Sequence, residues 1–302
     1  MKLSSRDLQN LAEQAILAAV QAGKWVASAA PAQKITQFKP GGNTLASQVV
    51  TEVDLRSQQI ILDTLSPSLE RYHLGLLTEE GADDHSRFER DFFWCVDPLD
   101  GTLCFTENQP GFSISIALVS KEGVPQIGVV HDPIQQKTYH AIKGGGCFVN
   151  GSAWKQNPWE SGSTETLTWT LDRSFESHQD FEKTKVQMEE VAQEFGCTHL
   201  KLIKQGGAVM NALWALESPL GCYFKFPKPQ LGGGSVWDFA ATACLFSELQ
   251  CSVSDFQGEP LNLNGEQSLF MNRHGVIFAN HIALFKRILG IQGAQKPFGL
   301  PK

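Results

Sequence analysis

The amino-acid sequence predicts a two-part protein in which an α+β half precedes an α/β half. The chain opens with helical patterns and then, from about residue 74 to residue 149, shows the pattern of short strands separated by turns. A polar, loop-like stretch follows between residues 154 and 165. Beyond it, strand and helix patterns alternate, which is typical of an α/β layer. We therefore predict one domain over residues 1–155 and a second over residues 156–302.

Composition narrows the class of protein. The 302 residues are enough for one large domain or two moderate ones, and 25 Lys and Arg against 32 Asp and Glu give a net charge of -7. This acidic balance argues against a nucleic-acid groove and is compatible with a carboxylate cluster that binds cations. The seven cysteines contain no Cys-x-x-Cys pair, which favours reduced, buried thiols in a cytoplasmic protein over a zinc site or disulfides. We expect no signal peptide and no membrane span, because neither pattern is visible.

Two helices are predicted at the N-terminus. Apolar side chains at three- and four-residue spacing indicate the first over residues 5–28, and Ser4 and Asp7 have the spacing of a capping box. The second is predicted over residues 55–65, where Asp54 precedes it at a position from which a carboxylate could cap it. The local pattern explains Asp54 equally well as a plain helix cap or as a functional residue.

The most informative stretch begins with the apolar run Phe92–Val96. Such a run is typical of a strand buried on both faces, although a buried helix segment fits the same pattern. The run stops at Asp97. Pro98 then fixes its own φ angle and donates no hydrogen bond, so we expect the strand not to continue in register.

Asp97 and Asp100 place two carboxylates three residues apart on the turn that follows. They repel each other unless a positive charge lies between them, and hard oxygen ligands on a preformed turn suit Mg²⁺. Gly101 permits a close ligand approach. Thr102 adds a hydroxyl, and the backbone amides of Gly101 and Thr102 could face an anion if a helix begins here.

A second acidic pair, Glu79 and Glu80, follows a predicted strand over residues 74–78. Adjacent glutamates are most often simply solvated surface charge. Here the pair follows an apolar run directly, as Asp97 does, and a short polar connection leads to the next strand. We therefore expect Glu79 and Asp97 to lie side by side at two strand ends on one edge of a sheet.

The remaining elements follow from periodicity and turn residues. In the N-terminal half, strands are predicted over residues 112–119, 126–131, 138–141 and 147–149. In the C-terminal half, we predict strands over residues 166–171, 198–202 and 276–279, and helices over residues 178–195, 207–216, 237–248 and 282–289. His131 and His140 have no visible partner set for zinc, so we assign them structural roles.

Asp238 falls in the first turn of a predicted helix. A carboxylate there is stabilised by the helix dipole by about 0.3–1 kcal/mol, which is the plain explanation of its position. Just before it, Lys225 and Lys228 precede the glycine run Gly232–Gly234. These lysines are either two solvated surface charges or ligands for a second phosphate near the cleft that Asp238 borders. Phe224 and Phe226, on either side of Lys225, are predicted to belong to the core.

Four of these elements together resemble the inositol monophosphatase superfamily, a group of Mg²⁺-dependent, lithium-sensitive phosphomonoesterases that includes bisphosphate nucleotidases. The core signature is Asp97-Pro98-Leu99-Asp100-Gly101-Thr102; the others, in the family's order, are Val50-Thr51-Glu52-Val53-Asp54, Glu79-Glu80 and Trp237-Asp238-Phe239-Ala240-Ala241. Gly206-Gly207-Ala208 resembles the family's Gly-Ser-Ala element, with Gly207 in place of the serine. The family's Glu-Ala-Gly-Gly ending is here Glu248-Leu249-Gln250-Cys251. The resemblance extends from Val50 to Ala279.

The resemblance implies a layered αβαβα sandwich of the sugar-phosphatase type and a site for two or three Mg²⁺ ions. The implied metal ligands are Glu79, Asp97, the Leu99 carbonyl, Asp100 and Asp238. The implied catalytic residues are Glu79 and Thr102, which would orient the attacking water, and Asp54 beside the metals. The expected substrate-binding residues are Gly101, Thr102, Asp238, Lys225 and Lys228.

The sequence therefore predicts a Mg²⁺-dependent phosphatase that acts on a small phosphate monoester, with inositol monophosphate or a related polyol or sugar phosphate as the first choice. One alternative is a 3′(2′),5′-bisphosphate nucleotidase. An alternative of another class is a non-catalytic anion-binding protein on the same fold, which is disfavoured because every implied ligand position is retained. The expected partner is a small phosphorylated substrate and neither a nucleic acid polymer nor a membrane; a monomer and a homodimer are both open.

Overall fold

Five alternating layers of helix and sheet build the protein. The computed structural model describes residues 2–29, 37–38, 49–50, 52–156, 159–160, 162 and 164–291, with the backbone alone for 37–38 and 49–50. The α-helices are α1 Ser5–Ala29, α2 Glu52–Arg71, α3 Ser86–Glu89, α4 Thr102–Thr106, α5 Phe181–Glu194, α6 Ala208–Glu217, α7 Val236–Glu248 and α8 Ile282–Leu289. The strands are β1 Gln37–Phe38, β2 Val49–Val50, β3 Gly75–Thr78, β4 Phe92–Asp100, β5 Ser113–Ser120, β6 Pro125–Asp132, β7 Lys137–Ile142, β8 Gly146–Val149, β9 Ser152–Trp154, β10 Thr166–Thr170, β11 His199–Ile203, β12 Gly221–Lys225, β13 Ser252–Ser254 and β14 Val276–Ala279.

The strands form two main sheets. The seven-stranded sheet has the order β3-β4-β5-β6-β7-β8-β9; β3 and β4 are parallel, and the other neighbours are antiparallel. The five-stranded sheet has the order β11-β10-β12-β14-β13, with β10 parallel to both of its neighbours and β14 antiparallel to both of its own. Strands β1 and β2 pair with each other as an antiparallel ribbon.

Alternation along β4 shows how the layers are built. Trp94 and Val96 pack against α1 and α2 on one face of the seven-stranded sheet, whereas Phe93 and Cys95 point to the other face, against α6 and α7. Helices α6 and α7 also pack against the five-stranded sheet, whose Phe278 joins the same cluster. Helices α5 and α8 cover the outer face of that sheet. The layered αβαβα sandwich implied by the resemblance is therefore the fold.

The two N-terminal helices are confirmed, the second with different bounds. In α1, the Ser4 amide donates to Asp7 Oδ2 at 3.0 Å and the Asp7 amide to Ser4 Oγ at 3.2 Å, which completes the predicted capping box. Helix α2 continues past the predicted end through Pro67. The proline cannot donate to the Asp63 carbonyl, and the Ser66 hydroxyl donates to it instead at 3.1 Å.

The predicted loss of register at Pro98 is confirmed, whereas the turn predicted at Asp97 and Asp100 was wrong, because both residues belong to strand β4. The strand continues to Asp100, but its register against β5 shifts: Asp97 pairs with Ser115 and Asp100 with Ser113. One extra residue on β4 makes this a β-bulge at the proline, which supplies no ladder hydrogen bond. In a regular strand two residues three apart face opposite sides of the sheet, and a one-residue bulge restores them to the same side. The bulge thus brings both carboxylates to one place.

Several other expectations concern side chains outside the site. All seven cysteines are free thiols and six of them are buried, as predicted. The buried His131 ring lies 2.9 Å from the Thr138 hydroxyl, and burial lowers its pKa to about 4, in agreement with a structural role. His140 stacks on the Phe148 ring. Within the described part of the chain, neither histidine belongs to a group of side chains that could hold a metal.

The predicted division at residues 155 and 156 falls between β9, the last strand of one sheet, and β10, the first of the other. It stays a prediction, because α6 and α7 pack against both sheets in one cluster. The strands β9, β12 and β13 were not predicted. None of the helices in the described ranges is long and apolar enough to cross a membrane.

Candidate active site

The first carboxylates of the site lie where two neighbouring strands end. Strands β3 and β4 are parallel and adjacent, with Thr78 opposite Val96. The Glu79 amide continues this ladder by donating to the Val96 carbonyl at 3.1 Å. Glu79 therefore follows its strand beside Asp97, and a hydrogen bond joins the two carboxyl groups. This is the juxtaposition predicted from the two apolar runs.

Helix α7 contributes Asp238 to the site. Its N-terminus carries a capping box in which the Ser235 amide donates to Asp238 Oδ2, so the Asp238 side chain is held in the first turn. The Ser115 hydroxyl donates to the Trp237 carbonyl at 3.3 Å and ties this turn to β5. As a result, Asp97, Asp100 and Asp238 each present an oxygen atom within 4.8 Å of the other two.

The carboxylates of this cluster are hard to ionise together in the metal-free protein. Burial raises the pKa of Asp97 well above its usual value, and the charges of Glu79, Asp100 and Asp238 raise it further. Burial and Asp238 likewise raise the pKa of Asp100, which the Val209 amide and Lys225 partly offset. Burial raises the pKa of Asp238 to about 6, although the nearby Lys225 ammonium acts in the opposite direction.

Thr102 links the signature turn to Asp54. Its hydroxyl oxygen lies 3.1 Å from Asp54 Oδ1 and 3.1 Å from the Leu99 carbonyl oxygen, and its single proton can be donated to one of them at a time. Gly101, at φ 82°, turns the chain from β4 into the short helix α4. Asp54 itself is fully buried inside the first turn of α2, so the suggestion that it caps this helix from outside was wrong. Thr51, which belongs to the same sequence element, lies outside the described residues.

Asp100 has partners that the sequence did not indicate. The Ala208 amide donates to Asp100 Oδ1 and the Val209 amide to Asp100 Oδ2, both at 3.0 Å. These amides open α6, so a carboxylate at the end of β4 is held by a helix N-terminus from the C-terminal half of the chain.

The two predicted lysines differ in environment. Lys225 Nζ lies 2.7 Å from Asp172 Oδ2, and its side chain is only 17% exposed, so the interpretation of Lys225 as solvated surface charge was wrong. The Tyr223 hydroxyl donates to the other Asp172 oxygen at 2.8 Å. Lys228 is half-buried at the cleft, and burial, with a smaller contribution from Lys225, lowers its pKa. Phe224 stacks on Trp169 in the core, as predicted.

A cleft of about 1100 Å³ contains the carboxylate cluster and extends past both lysines. Farther along it, Arg173 makes two hydrogen bonds with the Glu107 carboxylate, at 2.7 and 2.6 Å, between the two halves of the chain. Sequence reasoning missed Asp172 and Arg173. The signal that could have found them is the one used for Asp97, since charged residues follow directly after an apolar strand.

The side chains of the cluster suit a divalent metal ion. Three carboxylates converge, two of them buried, and burial together with the charges of neighbouring carboxylates raises the pKa of each member. Among the described residues, this is the one group of acidic, histidine or cysteine side chains close enough to share an ion. An all-oxygen donor set is the kind that Mg²⁺ or Ca²⁺ prefers over softer transition metals.

Comparison with known proteins assigns the chain to a family. A model of the inositol monophosphatase family matches residues 7–293, and the chain belongs to this family of phosphatases. It is 28% identical over 225 residues to the fructose-1,6-bisphosphatase/inositol-1-monophosphatase of Thermotoga maritima, which covers 74% of this chain and 78% of that protein.

Two further proteins are similar to this chain, one in sequence and one in fold. The Nus factor SuhB of Escherichia coli K12 is 27% identical over 246 residues, 81% of this chain and 84% of that protein. A solved structure of an IMPase/NADP phosphatase complexed with NADP and Ca²⁺ superposes with a TM-score of 0.72 at 17% identity, covering 98% of this chain and 99% of the other. At this identity the likeness shows the fold alone.

Proposed function

We propose that the protein is a Mg²⁺-dependent phosphatase that hydrolyses a small phosphate monoester, with inositol monophosphate or a related polyol or sugar phosphate as the preferred substrate. The observation that carries the proposal is the convergence of Asp97, Asp100 and Asp238 in a cleft large enough for such a molecule. Bound divalent cations at this cluster would supply Lewis acidity toward the phosphate and a nucleophile at neutral pH from water. We propose two or three ions, with Glu79 and the Leu99 carbonyl completing the ligands.

We propose that residues of the chain activate the attacking water and bind the phosphate. Glu79, beside Asp97, orients the attacking water and accepts its proton. The Thr102 hydroxyl, anchored on Asp54, holds the same water in line with the phosphorus atom. The amides of Gly101 and Thr102, where α4 begins, receive the phosphate oxygens. Because water attacks directly, no cysteine or serine nucleophile is required, in agreement with the thiol pKa of Cys104, which lines the cleft and whose pKa burial raises to about 11.

A second candidate substrate is a 3′(2′),5′-bisphosphate nucleotide. The observation that favours it is the extent of the cleft, which continues from the carboxylate cluster to Lys228 and the aromatic side chains Phe175 and Phe226. A half-buried ammonium group there could meet a second phosphate. Lys225 is less available for this role, because it is paired with Asp172. The IMPase/NADP phosphatase of similar fold was solved with a dinucleotide, NADP.

Phosphate release from a substrate panel tests the proposal. Inositol 1-phosphate, fructose 1,6-bisphosphate and 3′-phosphoadenosine 5′-phosphate are assayed with Mg²⁺ and with excess EDTA, next to an Asp97→Asn control. We expect Mg²⁺-dependent release, highest on the inositol phosphate, that is abolished by EDTA and by the substitution. Full activity in EDTA after dialysis contradicts the mechanism, and binding of these anions without turnover favours the non-catalytic alternative.

The choice between substrates is tested at Lys228. Lys228→Ala removes the ammonium without touching the ion pair of Lys225, and Lys201→Ala, on the exposed edge strand β11, is the matched control. A selective fall of kcat/KM on the bisphosphate nucleotide, absent in the control, would promote the nucleotide to first place. Small and equal effects on all three substrates would show that Lys228 does not bind a second phosphate.

A further inference from the structure

The N-terminus of α6 is capped by a residue 108 positions away in the sequence. Its N-cap position is Gly207, which has no side chain to accept the orphan amides of the first turn. The Asp100 carboxylate takes both Ala208 and Val209 amides instead, each at 3.0 Å. Serine, threonine, aspartate and asparagine normally perform this function from the N-cap itself. Here the cap is supplied across the cleft by a residue of the acidic cluster.

The nearby Asp100 carboxylate, and not the backbone conformation, explains why position 207 is a glycine. Its φ of -60° and ψ of 172° are open to every residue type, so conformational freedom does not explain a glycine here. A β-carbon at this position would lie 2.3 Å from Asp100 Oδ2, 2.6 Å from Cγ and 2.7 Å from Oδ1. These three atoms are its nearest contacts, and all belong to the carboxylate. Any side chain at position 207 therefore forces the Asp100 carboxylate and the first turn of α6 apart.

We infer that Gly207 and the first turn of α6 are positioning elements that preset Asp100 for the metal ion, an inference that rests on the proposed function. Each carboxylate oxygen accepts one amide and keeps a second lone pair, so capping and metal ligation are compatible. In the capped position, one Asp100 oxygen already lies within 4.8 Å of the Asp97 and Asp238 oxygens. The contact also joins the two halves of the chain at the site itself.

Metal titration of the metal-free protein tests this inference. Gly207→Ala and Gly207→Ser both add a β-carbon at the carboxylate, and the serine restores a local cap for α6. Gly206→Ala is the matched control: its β-carbon would lie 2.6 Å from Asn211 Oδ1 and 2.8 Å from Trp214, so it strains the same loop without touching Asp100. Calorimetric Mg²⁺ affinity is the readout, with the melting temperature in EDTA as the measure of folding. We expect both Gly207 variants to bind Mg²⁺ about 10–100-fold more weakly, as for other residues that orient metal ligands, and the control to bind as the wild type does.

A second variant keeps the inference open to refutation if the Gly207 variants fold poorly. Ala208→Pro removes one amide donor to Asp100 at the first helical position, where proline is tolerated, and the extended Gly207 suits a following proline. Weaker Mg²⁺ binding with an unchanged fold is the expected result. Wild-type affinity in folded Gly207→Ala or Ala208→Pro protein overturns the inference, whereas a wild-type protein that binds no Mg²⁺ overturns the proposed function instead.

Discussion

Replacing Asp238 by asparagine should make the metal-free protein more stable and should remove most of the stabilisation that Mg²⁺ provides. The amide is isosteric with the carboxylate, and its oxygen can still accept the Ser235 amide of the capping box. The substitution removes a negative charge from a cluster in which Asp97 and Asp100 also have raised pKa values. A site shaped for a cation is expected to be costly when the cation is absent.

The magnitude follows from the pKa of Asp238, which the folded protein raises from 3.8 to about 6. At neutral pH this shift corresponds to about 3 kcal/mol that ionised Asp238 costs the metal-free fold. This raised pKa already includes the opposing attraction of Lys225 and of the Ser235 amide, so removal of the carboxylate should gain the whole of about 3 kcal/mol. In a chain of this size, that gain raises the melting temperature by about 6 °C. In the wild type, Mg²⁺ at a hundred times its Kd should add about 2.7 kcal/mol, most of which the variant forgoes.

Thermal denaturation of both proteins in EDTA and in excess Mg²⁺ measures the gain in stability without metal and the loss of the Mg²⁺-induced rise. Asp7→Asn is the matched control, because Asp7 occupies the equivalent capping-box position in α1 and lies outside the cluster. Its pKa is lowered by the Ser4 hydrogen bonds, so its loss should lower stability slightly in both conditions. The reasoning is refuted if Asp238→Asn is destabilised in EDTA as much as Asp7→Asn, or if it retains the full Mg²⁺-induced rise in melting temperature.

Three further outcomes are expected. Glu79→Gln should lower turnover about 10²–10⁴-fold in steady-state phosphate release while still folding, since it disables a proton acceptor; near wild-type turnover would remove Glu79 from that role. Thr102→Ser should retain most of the activity that Thr102→Ala loses, because the serine keeps the hydroxyl beside Asp54; equal losses would assign Thr102 to packing. In EDTA, chemical denaturation should show that the free energy of unfolding falls as the pH rises from about 4 to about 6. The reason is that Asp238 keeps its proton up to about pH 6 in the folded protein but releases it near pH 3.8 in the unfolded chain. The raised pKa values of Asp97 and Asp100 act in the same direction. Mg²⁺ or Asp238→Asn should flatten this profile; a wild-type profile that is already flat in EDTA would contradict the raised pKa values.

The sequence was most informative where chemistry follows directly from a strand end. Glu79 and Asp97 could be placed side by side because each ends an apolar run and the connection between the runs is short. In the structure their strands are indeed adjacent and parallel, with Thr78 opposite Val96. The bulge that turns Asp100 to the same side as Asp97 was not predicted, although Pro98 indicates where the ladder must break.

The partners of Lys225 and Asp100 could not be predicted, because sequence patterns identify strands and not their neighbours. Strand β12 lies parallel to β10, with Tyr223 opposite Thr170, and this register sets Asp172 opposite Lys225 two residues farther on. The contact between Asp100 and α6 likewise joins segments 108 residues apart. The only local trace of it is Gly207, where the family's element has a serine.

The middle helical layer explains how the fold holds a cluster of buried carboxylates together. Helices α6 and α7 both begin at the cleft, and each holds one carboxylate: Asp100 accepts the first amides of α6, and Asp238 completes the capping box of α7. Amides and helix dipoles at both N-termini offset part of the repulsion. Asp97, by contrast, accepts the Leu99 amide at 3.0 Å and contacts Glu79. Because the two helices pack between the sheets, the same packing that joins the halves of the chain also sets two of the three carboxylates in place for a cation.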